Sequence, residues 1–290
     1  MRAALLILGA LALGACAKLV GARPVSANAP TLTTFHELDA HGDRRGFLLH
    51  RPPTPHSAMP VLIALHGSSA NANTVMDESG LNAIADSVGA LVAYPNGTGG
   101  IPYVRLFWNF EDCCGEGHRR PDEAAMVRSL VDTLAAHFSV DRSRIGLIGF
   151  SDAATLAYEL ACLDAGLSAI GVVSGEVPPS CRPHPAVATV VFHGTADQNI
   201  PYDHTDQHVA DWAQREGCRS VKTDTTRDVV RTTHDGCDDN AIVTLYTIVG
   251  GRHAWPGGEP SWIFAPAPTR DVDASRVFTR FVLDHPRRIP

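Results

Sequence analysis

Arg144-Ile145-Gly146-Leu147-Ile148-Gly149-Phe150-Ser151-Asp152-Ala153 is the stretch on which the fold turns. Arg144–Gly149 is an apolar strand, and Asp152–Leu163 has the spacing of a helix, so Ser151 sits on a sharp strand-to-helix turn. Such a turn lifts a serine hydroxyl above the sheet and needs small residues two positions to either side. It also aims the amides of the helix N-terminus at negative charge developing beside the hydroxyl. Gly149 meets the requirement on one side; on the other stands Ala153, one methyl larger than the glycine of the G-x-S-x-G pattern. Taken alone, the pentapeptide also fits a serine that only caps a helix.

Outward from this turn, apolar strands alternate with helical periods. Strands are expected at Val61–Leu65, Ala90–Tyr94, Ala169–Ser174, Val187–His193 and Ile242–Val249. Helices are expected at Ser79–Val88, Pro121–Phe138, Tyr202–Glu216 and Val272–Asp284. The alternation predicts an α/β fold with a mostly parallel sheet flanked by helices. Leu32–Asp39 and Gly46–Arg51 flank His41-Gly42-Asp43-Arg44 as an antiparallel hairpin would. With no internal repeat and no second composition regime, residues 31–290 read as one catalytic domain.

Two further strand ends carry chemistry. Val190 to Asp197 is a strand closing in His193-Gly194-Thr195-Ala196-Asp197, which presents an acid. Gly250-Gly251-Arg252-His253-Ala254-Trp255-Pro256-Gly257 presents a histidine on a glycine loop after the next strand. The order Ser, Asp, His, each just past a strand's carboxyl end, is that of an α/β-hydrolase. The expected site is therefore Ser151 as nucleophile, His253 as base and Asp197 as the acid that orients it. Leu65-His66-Gly67-Ser68-Ser69 follows an early strand, and the backbone amides of Ser68 and Asp152 are the candidate oxyanion donors. His66 itself reads as a buried residue shaping that turn. Trp108 and Trp255, beside these segments, are candidates for an apolar substrate pocket, with lid or core packing as the alternative.

With these pieces in view the chain resembles secreted polyhydroxybutyrate depolymerases and the related feruloyl and acetylxylan esterases. The matching segments are Leu65-His66-Gly67, Tyr94-Pro95-Asn96-Gly97, Trp108-Asn109 ahead of Cys113-Cys114-Gly115, and Leu160-Ala161-Cys162. To these add His193 to Asp197, Ile200-Pro201-Tyr202 and Gly250 to Gly258. The resemblance implies serine-dependent hydrolysis of a carboxylic ester through an acyl-enzyme, with disulfides around the site and neither metal nor cofactor. Ser151-Asp152-Ala153 departs from the usual Ser-Asn-Gly-Gly, and Arg252 stands beside the histidine, so the substrate is left open: small or oligomeric acyl, hydroxyacyl, feruloyl or acetyl esters. A catalytically silent surface lipoprotein that binds a glycan or partner, and a serine peptidase, are the competing readings.

Composition narrows the setting. The 290 residues are 44% hydrophobic and 19% charged with a formal net charge of −7, so the chain can bury a core but lacks the basic face a nucleic-acid partner needs. Arg2 followed by the apolar run Ala3 to Leu13 reads as a signal peptide, and Leu13-Gly14-Ala15-Cys16 resembles a lipobox. Residues 1–16 are thus expected to be an export signal with Cys16 as a lipid anchor, and 17–30 a flexible tether. The protein is expected in the bacterial cell envelope, or secreted if Cys16 is incidental. Membrane contact would come only through the lipidated N-terminus. Cys16 aside, six cysteines remain: Cys113, Cys114, Cys162, Cys181, Cys218 and Cys237. In an oxidising compartment they suggest up to three disulfides, with Cys218–Cys237, which brackets a polar segment, the first choice. No CxxC pair or Cys/His spacing supports a metal site.

Overall fold

A computed structural model describes residues 32–55, 57–101, 103–109, 122–178, 181–261 and 264–288. The export signal, Cys16, the tether, Cys113 and Cys114 lie outside the described residues.

The N-terminal hairpin is β1 (Thr33–Ala40) and β2 (Asp43–His50), joined through His41 and Gly42, both at positive φ (56° and 88°). Two such residues in succession match the turn that favours right-twisted strands. β3 (Met59–Leu65), β4 (Leu91–Pro95), β7 (Val140–Phe150), β8 (Ala169–Val173), β9 (Ala188–Gly194) and β12 (Val243–Ile248) form the parallel centre. A second antiparallel hairpin, β10 (Ser220–Thr226) and β11 (Val229–Asp235), closes the far edge. The sheet has ten strands in the order β1-β2-β4-β3-β7-β8-β9-β12-β11-β10. A small separate pair, β5 (Thr98–Ile101) and β6 (Arg105–Phe107), stands above it.

Among the described residues six α-helices cover the two faces: α1 (Ala72–Ser79), α2 (Leu81–Val88), α3 (Glu123–His137), α4 (Asp152–Cys162), α5 (Thr205–Arg215) and α6 (Ala274–Asp284). Because side chains alternate along a strand, Val61, Ile63 and Leu65 join Ile145 and Leu147 under α3, α4 and α5. Leu62 and Ala64 join Ile148 and Phe150 under α1, α2 and α6. On that second face Gly146 is required, since a Cβ there would run into Val282 of α6. This is the expected α/β-hydrolase layering, and it gathers the carboxyl ends of β3, β7, β9 and β12 at one rim.

Three elements were not expected. Ala72–Ser79 is a helix capped by Asn71, whose side chain accepts from Thr74 N–H, and Gly80 (φ 61°) separates it from α2. The segment between Cys218 and Cys237, read as a polar loop, is the β10–β11 hairpin. The β5–β6 pair is the third. Cys218 is bonded to Cys237 and Cys162 to Cys181. Among the described residues no helix is long and apolar enough to cross a membrane, and no group of three or more His, Cys, Asp or Glu is placed to hold a metal ion.

Candidate active site

The turn at Ser151 is as tight as the sequence demands. Ser151 has φ 58° and ψ −127°, a conformation L-residues rarely adopt, and its N–H donates to Val173 O at 2.9 Å. Gly149 is obligatory here because a Cβ would strike the Ala153 carbonyl. Ala153, by contrast, is fully buried and packs its methyl into the core under α4. The departure from glycine therefore fills space on the core side and leaves the turn intact.

Asp197 and His253 meet from different strand ends. His253 Nδ1–H donates to Asp197 Oδ2 at 2.8 Å, which fixes the ring so that Nε2 faces away from the acid. Asp197 Oδ1 accepts from Asn199 N–H at 2.9 Å and Ile200 N–H at 3.0 Å. Burial works against the Asp197 charge, but these donors and His253 outweigh it and hold the carboxyl below its ordinary range. The acid is thus charged at neutral pH. His253 lies against Phe150 with ring centroids 4.7 Å apart. Ser151 and His253 line one cavity of about 230 Å³ together with Gly67, Ser68, Ser69 and Asn199. Among the described residues no hydrogen bond joins Ser151 Oγ to His253, a looseness common in unliganded sites.

The β3–α1 loop forms the opposite lip. Ser69 N–H is committed to Leu106 O at 2.9 Å, as Ser151 N–H is to Val173, so Ser68 and Asp152 carry the neighbouring amides. The Ser68 hydroxyl donates to the Asp152 carboxylate, tying the loop to the first turn of α4. Burial pushes the Asp152 carboxyl up, with the charge of His253 pulling the other way.

His66 lies fully buried beneath this lip. Its Nδ1–H donates to Gly67 O at 2.8 Å, and Nε2 accepts from Gly97 N–H at 3.0 Å. Burial drives its pKa down to about 4, so it is a neutral strut between two loops. His66→Ala leaves a buried N–H and a carbonyl without partners. It is expected to cost about 1–3 kcal/mol of stability, read as a lower melting temperature, with a fall in turnover as the lip loosens.

Trp108 and Trp255 do not line the cavity, which corrects the pocket expected from the sequence. Each is 1% exposed. Trp108 Nε1–H donates to His66 O at 2.7 Å, and Trp255 Nε1–H to Ser275 Oγ at 2.9 Å. The indoles are drawn inward by these acceptors and serve as core supports of the two lips.

Two residues beyond the expected set matter. His193 Nε2–H donates to Ile200 O at 2.9 Å and lies 3.7 Å from Asp197 Oδ2, backing the acid. Its place in the strand that presents Asp197 was the available signal. Glu78, on α1, lines the same cavity as Ser151; an acid on a helix carries no sequence signal of burial. A larger cavity of about 550 Å³, lined by Glu176, His193, Asp203, His208 and Arg215 among others, shares no wall residue with the first and contains neither Ser151 nor His253.

Comparison with known proteins follows the same line. Residues 46–195, just over half of the chain, match the family described as esterase PHB depolymerase. The chain is 27% identical to a putative esterase, NocK, of Nocardia uniformis subsp. tsuyamanensis, over 81% of this chain and 77% of that protein. It is 25% identical to feruloyl esterase B of Piromyces equi over 73% of this chain, spanning only 42% of that longer protein. An acetyl xylan esterase from Aspergillus awamori superposes with a TM-score of 0.61 over 76% of this chain and 94% of that one; at 15% identity the likeness is one of fold.

Proposed function

The chain belongs to the esterase PHB depolymerase family of carboxylic-ester hydrolases, and from that premise we propose that it cleaves its ester through a serine acyl-enzyme built on Ser151, His253 and Asp197. The observation that carries the proposal is the 2.8 Å bond from His253 Nδ1–H to the Asp197 carboxylate, with Ser151 and His253 on one cavity wall.

His253 Nε2 takes the proton from Ser151 Oγ as the oxygen attacks the ester carbonyl. Asp197, held charged, steadies the imidazolium. The negative oxygen of the tetrahedral intermediate is met by the amides of Ser68 and Asp152. Collapse expels the alcohol, which takes the proton from His253. Water then repeats the sequence on the acyl-enzyme, releasing the acid and restoring Ser151. The Ser68–Asp152 side-chain bond holds the two amides in register. The substrates within reach are small or oligomeric esters.

Export fits the two disulfides, which persist in oxidising compartments; lipidation at Cys16 is the finer proposal, one domain over 31–290 another. The test of the mechanism is a fluorophosphonate. The wild type is expected to be labelled stoichiometrically at Ser151 and to hydrolyse p-nitrophenyl acetate or butyrate. Folded protein that resists the label would instead identify a silent binding protein.

A further inference from the structure

Glu78 has no part in the steps above, yet it forms a wall of the cavity that holds Ser151 and His253. Thr74 and Glu78, four residues apart on α1, present one face of the helix to that cavity. Glu78 is 4% exposed, and among the described residues no cation pairs with it. Its side chain shares a hydrogen bond with Ser261, which lessens the effect of burial only in part: the carboxyl is pushed up to about 8. At neutral pH it is therefore an uncharged acid, carrying one O–H donor and spare acceptor capacity.

A second buried acid shows what a purely structural carboxyl looks like here. Glu216, also pushed up to about 8 by burial, accepts the Val187 N–H with both oxygens, at 3.4 and 3.1 Å. Among the described residues Glu78 has no such backbone partner. Instead the loop after His253 is pinned across its helix, Glu259 N–H donating to Glu78 O at 3.0 Å, which brings Ser261 to the cavity edge. Among the described residues the remaining wall is Gly67, Ser68, Ser69, Thr74, Asn199 and Ser261, with Phe150 and Ala70 its apolar side chains. A hydroxyl would find donors and acceptors without any net charge to desolvate.

We propose that Glu78 is a specificity-determining residue that hydrogen-bonds a hydroxyl of the substrate, so that the preferred esters carry a free hydroxyl near the scissile bond. The inference rests on the serine-esterase reading. It extends that reading from a reaction to a substrate class.

The experiment uses matched esters differing by one hydroxyl. On the acyl side the pair is p-nitrophenyl 3-hydroxybutyrate and p-nitrophenyl butyrate; on the alcohol side it is ethylene glycol monoacetate and ethyl acetate. In at least one pair the wild type is expected to favour the hydroxylated ester by about tenfold or more in kcat/KM, since a site that pairs with a hydroxyl is left unsatisfied by the analogue lacking it. The pair that shows the preference tells which side of the ester Glu78 reads. Glu78→Leu should bring that ratio to within about threefold of unity. Glu78→Gln, of the same shape and still a donor, should keep most of it. Ratios near one in both pairs for the wild type would overturn the inference, as would an undiminished ratio in Glu78→Leu. The wild-type ratios and Glu78→Gln decide the matter even if the leucine variant does not fold. A wild type that turns over none of the four esters would overturn the esterase reading beneath it, an outcome distinct from turnover without preference.

Discussion

Ser151→Ala is expected to lower the turnover of p-nitrophenyl butyrate by about a thousandfold or more, to the residual rate that the oxyanion donors and binding alone support. The reason is chemical. Without Oγ there is no atom to form the acyl-enzyme, and His253 has no proton to take from the nucleophile. His253→Ala should fall as far, and the double variant no further, because the two act as a unit. Asp197→Asn should also cost several orders of magnitude. An amide N–H facing Nδ1 favours the tautomer with its proton on Nε2, which cannot accept one from serine. None of this should come through unfolding. The alanine variant inherits the same strained backbone at this position, φ 58° and ψ −127°, so its melting temperature should stay close to that of the wild type. Ser151→Gly would be equally inactive but should melt higher, because glycine adopts that conformation without strain. Wild-type turnover in folded Ser151→Ala would remove serine catalysis from the protein altogether.

Much of this is legible in the sequence. Strands β3, β4 and β8 are continuous apolar runs because both their faces are covered, and such runs can be read directly. The order in which Ser151, Asp197 and His253 follow strand ends carries the proposed site. What could not be read has physical causes. Strand β10 is exposed along nearly its whole length and β11 is mostly half-buried, so the hairpin shows neither an apolar run nor an alternation; ladder pairing with β12 holds it. Helix α1 has a modest apolar face, with Ala72 and Val75 its core contributions, although Asn71 and Gly80 mark its ends. Trp108 and Trp255 sit beside the site in sequence, but nothing in the chain says which way an indole points. That depended on acceptors at His66 O and Ser275 Oγ, partners brought by other segments. Glu78 shows the limit most clearly. Its burial is imposed by the loop at 257–261, nearly two hundred residues away in the chain.

Arg45→Met is expected to produce the largest loss of stability, about 3–5 kcal/mol, through the same kind of long-range burial. Arg45, on β2, is 2% exposed overall, with its side chain 1% exposed and that of its partner Glu123 3%. The guanidinium donates to Glu123 Oε2 at 3.0 Å, to Asp43 Oδ2 at 2.8 Å and to Asn96 O at 3.3 Å. Burial pushes the Glu123 carboxyl up and Arg45 is the cation that pulls against it, helped by Asn109 N–H at 3.2 Å. Methionine can fill the volume but leaves that carboxyl without its counter-charge, and an uncompensated buried charge costs more than the pair itself contributes. For a domain of this size the melting temperature should drop by about 6–20 °C. Adding Glu123→Gln to Arg45→Met should recover part of the loss, because the stranded charge is then gone; strictly additive losses would refute the coupling. The damage should also reach the site. Asn96 O is held by Arg45, the next residue's N–H is held by His66 Nε2, and His66 supports Gly67 beside Ser68. Turnover of the folded fraction of Arg45→Met is therefore expected to fall as well, whereas an Arg142→Met control should leave both readings near wild type, its ion pair to Asp132 being exposed on both sides.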